Sequence, residues 1–331
     1  MISQSRRADV RRTRDHDLSM ASRDRRKKKL LSYLGRFLPI ILTLIFGAVY
    51  AVIRQPGGWK AAGGNETALP RGSGMLTVDF IDIGQGDAAL IEAPDGQFMI
   101  IDAGPPEVSD DLIEWLNARG VEKIRYAVFT HPHADHIGGA DEVLLNFGVE
   151  TVIMPETEFD IPSYYRLGRA ISLTGCETVF PRSGDSFELG GASFRILAPN
   201  SATAENLNDM SVVLRLEYKN TSLIFTGDAE EQSENEILDI YGISDLKSDV
   251  LKVGHHGSST SSTVRFLQAV MPEYAVISCG RDNDFGHPHA VTLRKLEDIG
   301  AAVLRTDMLG TITFVSDGDR IYYIANETGS R

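Results

Sequence analysis

The sequence predicts an α/β protein that folds as an αββα sandwich, with two β-sheets packed face to face and helices on both outer surfaces. Two observations lead to this fold class. The chain has two β-rich parts, and helix patterns are interspersed among their strands. In addition, several histidines and aspartates directly follow predicted apolar strands, so they lie at the strand ends.

The predicted elements follow one another from residue 75 onward. Strands are predicted at 76–83, 88–93, 97–101, 124–130, 151–154, 178–180, 249–253 and 274–278, with further β-rich stretches at 193–226 and 301–325. Helices are predicted at 110–119, 141–147, 164–173, 230–241, 262–269 and 291–299. Residues 75–331 are therefore predicted to form one sandwich domain.

The charges divide the chain into a basic head and an acidic body. Residues 1–29 carry a net charge of +7 and residues 30–74 carry +3, so the total of −13 leaves −23 for residues 75–331. We predict a disordered basic tail over 1–29 and a flexible linker, rich in Gly, Pro and Ala, over 54–74. The acidic body argues against broad binding of DNA, because contacts to phosphate require Lys and Arg.

An uncharged apolar run over 37–53 predicts one N-terminal transmembrane helix, which Leu30, Leu31 and Leu34 extend to 30–53. The uncharged run would be about 26 Å long as a helix, against a hydrocarbon core of roughly 30 Å. The basic block 25–29 precedes it and indicates a single-pass protein of the cell membrane with a cytoplasmic N terminus and an extracellular body. A cleaved signal peptide and a buried core helix are the alternatives.

The chain contains two cysteines, Cys176 and Cys279. They would be able to pair on the oxidising side of a membrane. We interpret them instead as two small buried hydrophobic residues, because two cysteines do not make a disulfide framework.

Seven of the eight histidines fall into three short groups. The first group is the loop 130–136, which contains His131, His133, Asp135 and His136. Three imidazoles and one carboxylate suit Zn²⁺ or Mn²⁺. One ion cannot take all four ligands from so short a loop, so we expect two adjacent divalent metal ions.

Two aspartates follow apolar strands in the same manner. Asp228 comes after 223–227 and is predicted to bridge the two metal ions, because a carboxylate behind an apolar strand is costly unless it is paired or bound to metal. Asp102 comes after Ile100 and Ile101, and we predict that it orients the histidine loop rather than binding metal.

The second histidine group, His255 and His256, follows the strand at 249–253. One of the two would complete the second metal site. We predict His255 as the ligand and His256 as a residue that supports the ligands or contacts substrate. The third group, His287 and His289, precedes a helix: either it contacts substrate or donates a proton to the leaving group, or it caps the helix and its histidines are incidental.

Together these motifs resemble the metallo-β-lactamase superfamily, and most of all the extracellular hydrolase domain of ComEC-type competence (DNA-uptake) proteins. The resemblance covers nearly all of 75–325, and its motifs are 80–87, 208–211, 226–228, 255–258 and 286–289. It implies a metallo-β-lactamase-like fold. It also implies that four residues lie around the metal ligands or the substrate, namely Asp87, Asn208, Asp209 and Ser211.

The sequence departs from the wider superfamily in one ligand. The usual third histidine of the first metal site is absent, since no histidine lies between 136 and 255, and 208–211 occupies its place. That site would then hold His131, His133 and Asp228, with Asp209 or water, and more oxygen ligands favour Mn²⁺. The chain also has one predicted membrane span where full competence channels have many, so we do not expect it to be a DNA channel.

A site of this kind implies a metal-dependent hydrolase. Two divalent ions lower the pKa of water and stabilise charge on attacking and leaving oxygens. We predict catalytic roles for Asp135, Asp228, His287 and His289, and DNA or another phosphodiester as substrate. The alternatives are hydrolysis of another ester, a lactone or a cell-envelope phosphodiester, and a non-catalytic binding module on the same fold.

Overall fold

The computed structural model of the protein describes residues 73–157, 159–201 and 206–324. These residues form two β-sheets with helices on both outer faces, which confirms the αββα sandwich. The predicted basic tail, the anchor over 30–53 and most of the predicted linker lie outside the described residues. Within the described ranges, none of the helices has the length and apolar character needed to cross a membrane.

The strands are β1 (Leu76–Phe80), β2 (Ala89–Glu92), β3 (Phe98–Ile101), β4 (Lys123–Val128), β5 (Gly148–Ile153), β6 (Glu177–Val179), β7 (Ser186–Leu189), β8 (Ala192–Ala198), β9 (Val213–Tyr218), β10 (Thr221–Phe225), β11 (Val250–Lys252), β12 (Tyr274–Ile277), β13 (Ala302–Arg305), β14 (Ile312–Ser316) and β15 (Ile321–Ile324). The α-helices are α1 (Ser109–Ala118), α2 (Ala134–Ile137), α3 (Ala140–Asn146), α4 (Pro162–Thr174), α5 (Glu231–Ile240), α6 (Ile243–Leu246), α7 (Val264–Val270), α8 (Ala290–Asp298) and α9 (Thr306–Leu309). Short 3₁₀ turns lie at Pro106–Val108, Leu207–Met210 and Gly254–Gly257.

The helix ends follow from local chemistry. Pro162 begins α4, where its missing N–H costs no hydrogen bond, and Gly175 ends that helix in the left-handed conformation with φ of +67°. The side chain of Thr263 caps α7 by accepting a hydrogen bond from the Phe266 N–H at 3.3 Å. These signals can be read from the sequence, which is why the helix predictions lie close to the observed bounds.

The first sheet has eight strands in the order β15-β14-β1-β2-β3-β4-β5-β6. The pairs β3–β4, β4–β5 and β5–β6 are parallel, so the carboxyl ends of these strands share one edge of the sheet. Asp102 follows β3 and the loop 130–136 follows β4. Parallel pairing therefore brings the first histidine group next to Asp102.

The second sheet has seven strands in the order β13-β12-β11-β10-β9-β8-β7. Its strands β10 to β13 are parallel neighbours. Asp228 follows β10, His255 and His256 follow β11, and Ser278 follows β12. The same topological rule thus brings together the second set of polar residues at the edge of this sheet.

Apolar side chains fill the space between the sheets and under both helix layers. Phe80 of the first sheet stacks on Phe225 of the second, with ring centroids 5.5 Å apart. Leu112 and Val143 are fully buried beneath the helices of the first sheet, and Leu267 beneath those of the second. Each such side chain stabilises the fold by roughly 1.5–3 kcal/mol.

Several short elements were not predicted, among them strand β7 and helices α6 and α9. Helix α9 interrupts the stretch 301–325, which the sequence predicted as strands and turns. The hydroxyl of Thr306 fixes this turn, because it donates to the Cys279 carbonyl at 3.1 Å and accepts the Cys279 N–H at 3.0 Å. A contact between residues this far apart in the chain leaves no pattern in the nearby sequence from which helix α9 could be predicted. Cys176 and Cys279 are both unpaired; Cys279 is buried as predicted, whereas Cys176 is only partly buried.

Candidate metal centre

The first histidine group lies between the end of β4 and helix α2. His131 Nε2 and His133 Nδ1 are 2.9 Å apart, and His131 Nε2 is 3.7 Å from Asp228 Oδ2. One nitrogen or oxygen from each of these three residues falls within 4.8 Å of the others. The structure thus brings together the three residues predicted for the first metal site.

A second group shares Asp228 with the first. It consists of Asp135, His136, Asp228 and His256, whose ligand atoms also lie within 4.8 Å of one another. His136 Nε2 is 3.3 Å from Asp228 Oδ1, while His256 Nε2 is 3.2 Å from Asp135 Oδ2 and 3.5 Å from Asp228 Oδ2. Asp228 therefore stands where a bridging carboxylate is expected.

Three buried atoms of this centre test whether a metal fits. His136 Nε2, His256 Nε2 and Asp228 Oδ1 have no hydrogen-bond partner among the described residues. Each buried polar atom without a partner costs about 1–3 kcal/mol. A divalent cation that accepts a lone pair from all three removes this cost, and a set of imidazoles and carboxylates suits Zn²⁺ or Mn²⁺. The residues present fit divalent metal ions.

The two adjacent histidines take different places. His256, and not His255, belongs to the close group, although the sequence led us to predict His255 as the ligand. Both residues have left-handed φ angles, +49° and +52°, and their ring centroids lie 6.1 Å apart with an angle of 71° between the ring planes. His255 Nε2 is 3.8 Å from Asp228 Oδ2, and its Nδ1–H donates to Glu230 Oε1 at 3.0 Å. The geometry favours His256 as ligand, and the assignment itself stays a prediction.

Asp102 lies behind His136, on the side away from the metal centre. Its carboxylate is fully buried and accepts hydrogen bonds from the Thr130 N–H at 2.8 Å, the Thr130 hydroxyl at 2.7 Å and His136 Nδ1–H at 2.8 Å. Asp102 thereby holds the Nδ1 proton of His136, and Nε2, which faces Asp228, is the nitrogen that would give up its proton to bind a metal ion. This contact is the one that the predicted orienting role of Asp102 requires, and the role itself stays a prediction.

Asp87 holds the corresponding place behind His256. Its Oδ1 lies 3.3 Å from His256 Nδ1, which donates to the Ser278 carbonyl at 3.0 Å. Gly86 allows the loop to lie against the histidine loop, because a Cβ on this glycine would sit 2.3 Å from the Asp135 carbonyl oxygen. The motif 80–87, so far only a point of resemblance, acquires a physical role: it supports the ligand group.

The segment 208–211 contacts the centre through hydrogen bonds. The Ser211 hydroxyl accepts the Asp228 N–H at 3.1 Å, and the Asn208 amide donates to Glu230 Oε1 at 3.0 Å. Asp209 accepts two backbone N–H groups at the start of α5, at 2.9 and 3.1 Å. The carboxylate of Asp209 is thus engaged away from the candidate metal groups of the described residues, and the first site gains no ligand from it.

The third histidine group divides into two. The His287 ring lies beside the centre, 5.4 Å from that of His255 and 6.1 Å from that of His256. His289 directly precedes α8, and its Nδ1 accepts the Ser259 N–H at 2.9 Å. His287 is therefore placed to contact a substrate, whereas His289 fixes the loop before the helix.

Burial and neighbouring charges set the protonation of these groups. Burial lowers the pKa of His131 well below its usual value. Burial also acts to lower the pKa of His136, but the carboxylates around it, Asp228 first, outweigh burial and hold that pKa well above its usual value. Burial lowers the pKa of His287 to about 4, so this imidazole is neutral at pH 7. A neutral His287 favours substrate contact over proton donation.

Two charged residues that lie around the metal centre were missed in the reading of the sequence. Glu230 accepts from His255, Asn208 and Thr260, and was interpreted only as the start of a helix. Lys252 pairs with Asp87 at 2.7 Å, and was interpreted only as part of the strand before His255. A lysine within an otherwise apolar strand was the available signal, because such a charge requires a buried partner.

The sequence is similar to those of known proteins. A sequence profile of the Metallo-beta-lactamase superfamily matches residues 81–281. ComE operon protein 3 of Bacillus subtilis (strain 168) is 33% identical over 254 residues, which cover 72% of this chain and 32% of that protein. Competence protein ComA of Neisseria gonorrhoeae is 31% identical over 250 residues, 75% of this chain and 33% of that protein. The chain spans about a third of the length of these curated relatives.

The fold also matches solved structures. The diiron beta-hydroxylase CmlA from Streptomyces venezuelae superposes with a TM-score of 0.50 over 75% of this chain and 54% of that chain. Its sequence identity is 13%, so this likeness concerns the fold alone.

Proposed function

Because the chain belongs to the metallo-beta-lactamase superfamily, we propose that it is a membrane-anchored, metal-dependent phosphodiesterase that cuts nucleic acid outside the cell. The observation that carries the proposal is the pair of ligand groups that share Asp228. Two ions held by one carboxylate suit displacement at phosphorus, where the attacking and the leaving oxygen both need charge stabilisation. The similarity to competence proteins supports nucleic acid as the substrate.

In this mechanism the first group would hold one ion through His131, His133 and Asp228, and the second group the other through Asp135, His136, Asp228 and His256. The bound ions supply water of lowered pKa and stabilise the charge that develops on the phosphoryl oxygens. Asp102 accepts the Nδ1 proton of His136 and the Ser278 carbonyl accepts that of His256, with Asp87 Oδ1 3.3 Å from the same nitrogen, so Nε2 is the nitrogen of each ring that would bind metal. Neutral His287 contacts the leaving group from the side of His255.

A second candidate function is hydrolysis of another ester, a lactone or a cell-envelope phosphodiester. The observation that favours it is the net charge of −23 over 75–331, which repels a polyanion but not a small or neutral substrate. The ligand groups serve these reactions equally well, because the metal chemistry is generic. Substrate preference therefore decides between the two candidates.

The test uses the full chain in detergent, stripped of metal and reloaded with Mn²⁺ or Zn²⁺. The substrates are single-stranded DNA, bis(p-nitrophenyl) phosphate, a lactone panel and a chromogenic β-lactam. We expect metal-dependent cleavage of the two phosphodiesters and a loss of about 100-fold or more in Asp228→Asn, because the shared ligand is removed. The exposed Asp239→Asn on α5 is the matched control and should retain full activity.

The outcomes separate the candidates. Turnover confined to the lactones would overturn the phosphodiesterase proposal. Absence of all turnover, with no effect of Asp228→Asn on metal content, would favour a non-catalytic binding module instead.

The anchoring part of the proposal rests on the apolar run 37–53 and the basic block before it. We expect the chain to remain with the membrane fraction after carbonate washing. Protease added to intact cells should digest the body. A body that stays protected until the cells are lysed would overturn the proposed orientation.

A further inference from the structure

Lys252 is a buried cation inside an apolar strand. It ends β11 after Val250 and Leu251, and the residue is 3% exposed. Its Nζ lies 2.7 Å from Asp87 Oδ2 and donates to the Val253 carbonyl at 3.1 Å. A buried ammonium is costly unless a carboxylate compensates it, and a hydrophobic residue would suit the strand better. The lysine therefore requires an explanation other than the stability of β11.

The other oxygen of Asp87 faces a residue of the metal centre. Asp87 Oδ1 is 3.3 Å from His256 Nδ1, and this ring nitrogen also donates to the Ser278 carbonyl at 3.0 Å. The opposite nitrogen, Nε2, lies 3.2 Å from Asp135 Oδ2. A continuous chain of contacts thus leads from Lys252 through Asp87 to the ring of His256.

Asp102 offers a comparison within the same molecule. It lies behind His136 as Asp87 lies behind His256, but its oxygens accept from Thr130 and from the histidine. Among the ion pairs of the described residues, Asp102 has no lysine or arginine partner. Asp102 is held in place by three hydrogen bonds, whereas Asp87 is held by the Lys252 ammonium and its own backbone.

The space around this pair is too small for bulk water to replace the ammonium. A cavity of about 10 Å³ lies behind the centre, lined on its polar side by Asp87, Asp102, Thr130, Lys252 and Ser278. Such a volume corresponds to roughly one water molecule. Without the lysine, the carboxylate of Asp87 would lose its partner and would not be rehydrated, so it would move or disturb its neighbours.

We propose that Lys252 is a positioning residue of the metal centre: its ammonium holds the Asp87 carboxylate, and Asp87 with the Ser278 carbonyl fixes the His256 ring so that Nε2 faces Asp135 and Asp228. The inference rests on the metal binding put forward above as part of the proposed function. It gives a joint role to the loop 84–87 and the strand before His255, which lie far apart in the sequence and in different halves of the sandwich.

The experiment measures metal binding and not only activity. Full-length wild type, Lys252→Met and the double variant Lys252→Met/Asp87→Leu are stripped of metal, and the affinities for two Zn²⁺ or Mn²⁺ ions are determined by competition with a chelator. The absorption spectrum of the Co²⁺-loaded protein reports the ligand geometry. Lys247→Met, at an exposed lysine of the same region, is the control and should bind both ions as the wild type does.

We expect Lys252→Met to lose about 10–100-fold in affinity for one ion, as seen when outer partners of metal ligands are removed, with the other ion little affected. The double variant removes both buried charges and should fold at nearly wild-type stability while keeping the affinity loss. It decides the question if Lys252→Met alone does not fold. Folded variants that bind both ions like the wild type, with an unchanged Co²⁺ spectrum, would overturn the inference. A wild type that binds no metal would instead overturn the proposed function itself.

Discussion

At the scale of single residues, the centre depends on which atom of each side chain faces inward. His255 and His256 are neighbours with similar left-handed backbone angles, yet only His256 joins the close ligand group. His255 is held by Glu230 and stays partly exposed beside His287. Two consecutive histidines in a tight turn can serve two purposes because their rings meet different partners, Glu230 for His255 and Asp135 for His256.

A pair of variants tests this division. His256→Ala should lower the affinity for one metal ion by about 100-fold or more, because a direct ligand is lost. His255→Ala should leave two ions bound and lower turnover only. Metal content after dialysis against a weak chelator, together with initial rates, measures both effects. The opposite pattern would return His255 to the ligand role predicted from the sequence.

Gly86 is the second residue whose identity is dictated by geometry. Its φ is +133°, and a Cβ there would lie 2.3 Å from the Asp135 carbonyl oxygen. We expect Gly86→Ala to destabilise the fold by about 2 kcal/mol or more and to lower metal affinity, since the backbone that carries Asp135 must move.

The control for this prediction lies two residues earlier. Gly84 also has a positive φ, +74°, but a Cβ there would meet no atom within 4 Å. Gly84→Ala should therefore cost only about 1 kcal/mol of conformational strain and keep metal binding. Urea unfolding and metal titration compare the two variants. Equal losses of stability and metal affinity would contradict the role of the close approach between residue 86 and the Asp135 carbonyl oxygen.

At the scale of elements, helix α5 holds the loop that follows the second histidine group. Glu234 of α5 is buried and accepts the backbone N–H groups of Ser262 at 2.5 Å and Thr263 at 2.8 Å. Lys295 of α8 donates to the Ser261 and Ser262 carbonyls at 2.9 and 2.8 Å. Two helices therefore anchor the segment 261–263, which follows His255 and His256 in the chain.

This helix-to-loop contact predicts a pH dependence of stability. Burial raises the pKa of Glu234 from 4.5 to about 7. The folded state then binds the proton more tightly than the unfolded state, so the stabilisation is complete below pH 4.5 and is lost as the pH rises to about 7. The loss is at most about 3 kcal/mol.

Glu234→Gln should lack this part of the pH dependence. Urea unfolding at pH 4.5 and 7.5 gives the change in the free energy of unfolding for wild type and for the variant. Titration of the metal centre contributes equally to both changes, so it cancels when one is subtracted from the other. If the free energy of unfolding changed equally with pH in the two proteins, Glu234 would not change its protonation on folding.

At the scale of the whole molecule, the net charge of −23 over 75–331 surrounds a centre that we propose to act on a polyanion. Raising the ionic strength from about 10 to 150 mM shortens the screening length from about 30 to about 8 Å. The kcat/KM for long single-stranded DNA should therefore rise several-fold, because repulsion is screened. The value for bis(p-nitrophenyl) phosphate should change little.

The measurement uses vesicles with the body facing outward, so that the basic tail, with its net charge of +7, does not contact the DNA. A steep fall of kcat/KM with salt would contradict the prediction. It would indicate a local patch of cations that dominates DNA binding despite the overall charge.

From the sequence alone come the fold class, most of the elements and every member of the two ligand groups except His256. Alternation of apolar residues gives the strands, and Pro, Gly and Thr at their ends give the helices, because these signals act over a few residues. His131, His133, Asp135 and His136 lie together because one loop after β4 carries them, whereas Asp228 follows β10 of the other sheet and joins them through the packing of the two sheets.

The tertiary structure decided the details that depend on contacts between distant segments. It placed His256 rather than His255 in the ligand group, engaged Asp209 at the start of α5, and paired Lys252 with Asp87. Each of these depends on distances of a few ångströms between residues from different loops. Sequence patterns specify which side of an element a residue occupies, but only the packed chain fixes which atom meets which partner.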